Sequence, residues 1–421
     1  MLEHSIIAIL IIFAVLILYF IQEIPIYVTT LLGCLAMALF GVISPEKALS
    51  GFSNSAALVI VGMMVLGEAC FTTGLAKDAG KLARRFTKSE RQFVIAIMII
   101  GVLLGSFLNA NLLAPLLLAV VNVVVSNSEG RISRKATYMP TSFGVMFGNN
   151  LTTVSSSSAL TAMAVITTAG YEEIGLFDFS VITLPATAIC IIFYYFWGYR
   201  LAKKVWNFPE AAPAKLELLE EGAQYPLWKK AVTLLTLIGV IAAMVMGANF
   251  GVTALLGACI VIFTGCISPK RAIQAVDWPT YLIASAALGM STGLTESGGG
   301  LVIAEFLAHA AGPIVQSPAG ICAIIAVVAT ILSNLMSDTA TVAIMAPIGL
   351  ALAQSVGIDA VPVAIAAAVG SKVAVATPVS VTSNSLAASA GYRFKDFLVI
   401  GGLMNLIQIV VTTIMLQIIY F

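Results

Sequence analysis

Asp338 sits in the stretch SDTATVAIMAP, residues 337–347, flanked by Ser337 and Thr339 and followed at once by Ile, Met and Ala. A carboxylate in so apolar a run is expensive, and an ionisable group at membrane depth reads as functional by default. Lys372, in the middle of AVGSKVAVATP, is its natural partner. A buried Asp–Lys pair relieves both desolvation penalties, whereas either group alone shifts its pKa and neutralises. Three more polar clusters interrupt apolar runs: Asn109, Ala110 and Asn111 in SFLNANLLAPLLLA, then NNLTTVSSSSA over 149–159, then the end of KVAVATPVSVTSN over 372–384. Backbone N–H and C=O groups cannot stay unpaired in hydrocarbon, so breaks at this depth survive where they line a cavity or bind something. Helix N-termini at such breaks suit an anion, and hydroxyls with freed carbonyls suit Na⁺. Covalent chemistry has nothing to stand on. Only His4 and His309 are histidines, and no HExxH, GxSxG or GxxxxGK(S/T) pattern occurs.

The elements that carry these clusters must be membrane helices. The chain has 421 residues, 60% hydrophobic and 10% charged, with a mean hydropathy of +1.04, a composition that a water-exposed domain does not sustain. Several runs have the roughly 17 to 25 residues that cross about 30 Å of hydrocarbon as a helix, and the period-2 alternation of a barrel is absent. The net charge of +1 gives no reason to invoke nucleic acid. The six cysteines lie in apolar stretches with no CxxC spacing, which makes them packing groups. The run over residues 6–20 lacks a basic leader and a cleavage site, and is expected to be a retained span.

The chain says the same thing twice. GVISPEKALSGFSN (41–54) returns as GCISPKRAIQAVDW (265–278), SFLNANLLAPLLLA (106–119) aligns with NLMSDTATVAIMAP (334–347), and NNLTTVSSSSA with the end of KVAVATPVSVTSN. The expected architecture is an all-α polytopic membrane protein of two inverted repeats, residues 1–202 and 230–421, joined by a cytoplasmic linker over 203–229. Each repeat is read as about five crossings, with a re-entrant hairpin (92–126; about 319–352) and a broken helix (137–166; 362–390). An odd number of crossings inverts the second repeat. The charges agree: Lys77 through Arg91, Arg131 through Lys135, Arg200 through Lys204, Lys229 with Lys230, Lys270 with Arg271, and Arg393 with Lys395 all fall on one side, which the positive-inside rule makes cytoplasmic. Both termini then lie outside. Glu68 is expected to hydrogen-bond within the helix packing, and Gly298, Gly299 and Gly300 to form a turn.

At the four breaks the sequence resembles the divalent anion/sodium symporter family of the ion transporter superfamily. That family carries Ser-Asn-Thr at both hairpin tips, with broken helices reading like GGTLTLIGTSTN and ATPIGYQTN; here GNNLTTVSSSSA and ATPVSVTSN stand in those places. The resemblance implies a homodimer in the inner membrane that moves C4-dicarboxylates, citrate or sulfate by elevator motion, without a cofactor but with bound Na⁺. It implies solute contacts at Asn109, Ala110, Asn111, Ser157, Ser158, Ser337, Asp338, Thr339, Thr382, Ser383 and Asn384, and ion binding or coupling at Ser106, Asn150, Thr152, Ser155, Asn334, Lys372, Thr377 and Ser380. The tips depart from the family pattern: Ala110 loses an amide, Asp338 turns an amide donor into a carboxylate, and Ala159 replaces the Asn that the second motif keeps as Asn384. The family's extra N-terminal span is not expected here. Lys372 stands near the second cation site, so its ammonium is expected to replace one Na⁺ and neutralise Asp338. An alternative is a cation/proton antiporter of the same superfamily that titrates Asp338. An arsenite-type partner of an ATPase and a receptor-dependent transporter subunit are further alternatives.

Overall fold

The computed structural model describes residues 2–21, 23–75, 89–128, 130–208, 226–303, 306, 312, 317–378 and 381–421. These residues are helical throughout, with irregular connections. In chain order the first half holds α1 (Leu2–Ile21), α2 (Ile26–Leu39), α3 (Pro45–Leu49) with a 3₁₀ turn over Ser50–Ser53, α4 (Ser55–Thr72), α5 (Glu90–Gly105), α6 (Ala110–Ser126), α7 (Arg134–Gly148), α8 (Ser157–Thr168), α9 (Asp178–Phe193) and α10 (Tyr199–Val205). A π-helical turn, Tyr194–Gly198, joins the last two. The second half holds α11 (Leu227–Val245), α12 (Phe250–Phe263), α13 (Pro269–Ala275), α14 (Trp278–Glu296), α15 (Pro318–Ser333), α16 (Asp338–Val356), α17 (Ala360–Lys372), α18 (Thr382–Ala388) and α19 (Phe394–Tyr420).

The breaks fall where the polar clusters stand. Two helical arms flank each tip: α5 and α6 about residues 106–109, and α15 and α16 about 334–337. Two half-helices flank each interruption: α7 and α8 about 149–156, and α17 and α18 about 373–381. The stretch read as a linker, 203–229, is helical at both ends, through Val205 and from Leu227. Gly298 turns the chain after α14 with a φ of +73°. His309 and Ser380 lie outside the described residues.

Length alone does not separate a crossing from a hairpin arm. Among the described residues five helical segments are long and apolar enough to span, and one of them is α16, of 19 residues, which was expected as a hairpin arm. Surroundings separate it: 83% of its apolar window is buried in protein, against 22% for α11. The outward faces of α1, α9, α11 and α19 are instead lined with exposed Ile, Leu, Val and Phe, the solvent of which is lipid.

Both halves pack by the same rule. Within each, the first hairpin arm lies along the first half of the broken helix, α5 on α7 and α15 on α17. Glycine makes this possible, because a Cβ on Gly148 would stand 2.3 Å from the Val102 carbonyl oxygen and one on Gly370 2.4 Å from that of Ala326. Between halves the partners are exchanged: α2 packs on α14, and α12 on α4. Ion pairs mark the same exchange. Lys47 Nζ meets Glu296 Oε1 at 2.6 Å, and Arg271 Nε meets Glu68 Oε1 at 2.6 Å; Lys47 and Arg271 occupy matching positions of the duplicated motif. Glu68 therefore hydrogen-bonds within the helix packing as expected, and its partner is the Arg271 guanidinium of the other half.

Candidate functional site

The four breaks converge on one cavity of 390 Å³. Three of the helices that start there do so with a side-chain cap. Asn109 accepts from the Asn111 N–H at 2.8 Å, Ser156 from the Ala159 N–H at 3.2 Å and Ser337 from the Ala340 N–H at 3.3 Å, so α6, α8 and α16 begin at the cavity wall. Their N-terminal dipole ends point at a shared space.

Charge is placed at the centre of this arrangement. Lys372, at the end of α17, is 8% exposed; its Nζ lies 2.8 Å from Asp338 Oδ2 at the second tip. With the Asn149 amide oriented to satisfy both neighbours, its Oδ1 accepts from the same ammonium at 3.0 Å, while its nitrogen donates to the Ser155 carbonyl. Asp338 Oδ1 accepts the Thr339 N–H at 2.8 Å. Ser157 and Thr339 share a hydroxyl hydrogen bond of 2.9 Å. One lysine thus ties the second tip to the first broken helix, and a hydroxyl pair repeats the tie beside it.

Of the residues expected to face a solute, Asn109, Ala110, Asn111, Ser157, Ser337, Asp338, Thr339, Thr382 and Ser383 line the cavity. Ser158 and Asn384 do not, and both are fully buried. Ser158 bonds Ser156, and Asn384 accepts from Ser142 at 2.7 Å while donating to the carbonyls of Ala374 and Thr377, so it braces the second break against α7. Of the residues expected at ion sites, Ser155 and Lys372 reach the cavity. Ser106, Asn150, Thr152, Asn334 and Thr377 do not line it. Thr152 donates to the Ser106 carbonyl, Ser155 to the Asn149 carbonyl, and Thr377 to the Asn334 carbonyl at 3.3 Å. Among the described residues, Asn150 Nδ2, Asn334 Oδ1 and Ser383 Oγ are buried with no hydrogen-bond partner. Asn334 Oδ1 beside Thr377 leaves oxygen donors of the kind a hard cation takes.

The cavity also has walls that sequence reasoning did not select: Tyr27 at the start of α2, Asn149, and Asp277 with Thr280 at the start of α14. Asn149 and Asp277 both lie inside the repeated motifs, so a comparison of the two copies residue by residue was the available signal. Tyr27 offers none.

A family model described as a citrate transporter, CitMHS, matches residues 8–370. An uncharacterized transporter of Synechocystis is 26% identical over 193 residues, 46% of this chain and 31% of that protein. A probable sodium/sulfate cotransporter of Chlamydomonas reinhardtii is 30% identical over 142 residues, 31% of this chain and 15% of that protein. The matched part spans about a third or less of the length of these relatives. The fold is similar to that of the YdaH transporter of Alcanivorax borkumensis, with a TM-score of 0.60 at 16% identity over 89% of this chain and 87% of that one. It is also similar to that of MtrF of Neisseria gonorrhoeae, with a TM-score of 0.59 at 13% identity over 92% of this chain and 84% of that one.

Proposed function

We propose that this chain, which belongs to the CitMHS citrate transporter family, is a secondary transporter of small di- or tricarboxylates or a related oxyanion. The observation that carries the proposal is the meeting of both tips and both broken helices around one cavity, bridged by Lys372 between Asp338 and Asn149. The solute carboxylate lies against the N-termini of α6, α8 and α16, where hydroxyls and amides replace its water. Lys372 acts as a tethered cation that neutralises Asp338, so that the second tip presents no free negative charge to the anion. Carbonyls and hydroxyls behind the first tip, from Ser106, Asn149, Thr152 and Ser155, take Na⁺ as a transported partner.

The repeats are inverted, and the duplicated third helices α4 and α14 open opposite mouths. Ile26, Tyr27, Asp277 and Thr280 line the cavity at helix starts, on the side that the basic residues mark as cytoplasmic, and this is the side from which the solute enters. The hairpins and broken helices carry the solute past a scaffold by elevator motion, in a homodimer of the inner membrane. A cation that binds only the loaded form shifts its population and couples the fluxes. The antiporter alternative is disfavoured because the Asp338 carboxylate is already engaged by Lys372 at 2.8 Å.

Uptake of labelled citrate, succinate and sulfate into proteoliposomes tests this reading, with Na⁺ in one arm and choline in the other. We expect uptake of at least one of them to persist at reduced rate in choline. Complete loss in choline removes the tethered-cation role, and no uptake of any of them in either arm removes the substrate class.

A further inference from the structure

The charges on the cavity wall do not balance. Among the described residues that line it, the one lysine is consumed by Asp338 and Asn149, and there is no arginine or histidine. Asp277 adds a second carboxylate. It caps α14, accepting the Thr280 N–H at 3.4 Å and the Thr280 hydroxyl at 2.6 Å. Among the described residues no cation pairs with it within 4.0 Å. The formal charge of the described wall residues is therefore one positive, Lys372, against two negative, Asp338 and Asp277. The duplication does not require this, because the matching position of the first repeat is the neutral Ser53.

A bare dicarboxylate entering such a space meets the N-termini of α6, α8 and α16 but also a carboxylate with no cation partner among the described residues, and like charges at close range disfavour it. A solute that brings its own positive group satisfies both. We propose that the transported solute is an amino-dicarboxylate, with its carboxylates toward the N-termini of α6, α8 and α16 and its ammonium toward Asp277, which makes Asp277 the specificity-determining residue. This rests on the proposed transport role of the cavity and deepens it by naming the substrate class.

The experiment is calorimetric titration of the full-length protein with aspartate, succinate and N-acetylaspartate, each with and without Mg²⁺ and Na⁺. Aspartate is expected to bind at least about tenfold more tightly than the other two. Asp277→Asn keeps a good helix cap, so its thermal melting should stay unchanged while the preference for aspartate over succinate falls to near one. Equal binding of aspartate and succinate overturns the amino-group inference and leaves the carboxylate transport reading standing. So does succinate binding that reaches the strength of aspartate only when Mg²⁺ or Na⁺ is supplied, since the positive charge then comes from a metal ion. If no ligand binds in any arm, the transport reading of the cavity falls together with the inference.

Discussion

Lys372 and Asp338 decide most at the scale of single residues. Both were legible in the sequence, because each is a lone ionisable group in an apolar run and each needs the other. Their third partner was not legible, since Asn149 is one of several polar residues in its stretch and only the folded chain shows which reaches the ammonium. Removing one member of a buried pair leaves the other uncompensated, at a cost of about 3 to 5 kcal/mol. Lys372→Met should accordingly lower the melting temperature of the detergent-solubilised protein strongly, and adding Asp338→Asn should recover most of the loss. A double variant as unstable as the single one would show that the pair is not the source. Ser158 and Asn384 went the other way. Hydroxyl and amide groups next to a cavity look alike in a sequence whether they face inward or brace the wall, and the hydrogen bonds of Asn384 to Ser142, Ala374 and Thr377 are set by tertiary packing.

Elements were read well where apolar length and polar interruption coincide, and less well where length alone was the guide. Helices begin and end at the polar interruptions because these are rich in Asn, Ser and Thr, which cap helices. α16 is long enough to cross, and what sets it apart is its burial and its packing on both α15 and α8. The pairing of α5 with α7 depends on backbone contact at Gly144 and Gly148. Gly148→Val should destabilise the protein by about 1 to 3 kcal/mol or more through overpacking. Gly402→Ala on α19, where an added Cβ meets nothing within 4 Å, should stay within about 0.5 kcal/mol of the parent. Thermal melting of the two variants side by side checks this, and equal effects would contradict the close approach.

The whole molecule is organised by exchange between its halves. The duplication was visible as repeated motifs, but the sequence did not show that α2 would pack on α14 and α12 on α4, nor that Lys47 and Arg271 would each pair with the opposite half. Such pairings join residues far apart in the chain, Ser55 with Gly251 and Lys47 with Glu296 among them, and no local pattern encodes them. The same exchange brings the start of α14 to the cavity, which is why Asp277 came to light only in the fold. The central claim is that this cavity is where the solute binds. It is tested most directly by alkylating a single cysteine, introduced at Ser337 in a background without the six native cysteines, in the presence and absence of citrate, succinate or aspartate. The account predicts that at least one of them slows labelling at Ser337 and leaves a control cysteine at the buried, non-lining Ser158 unaffected; labelling at Ser337 that no transported solute slows would contradict it.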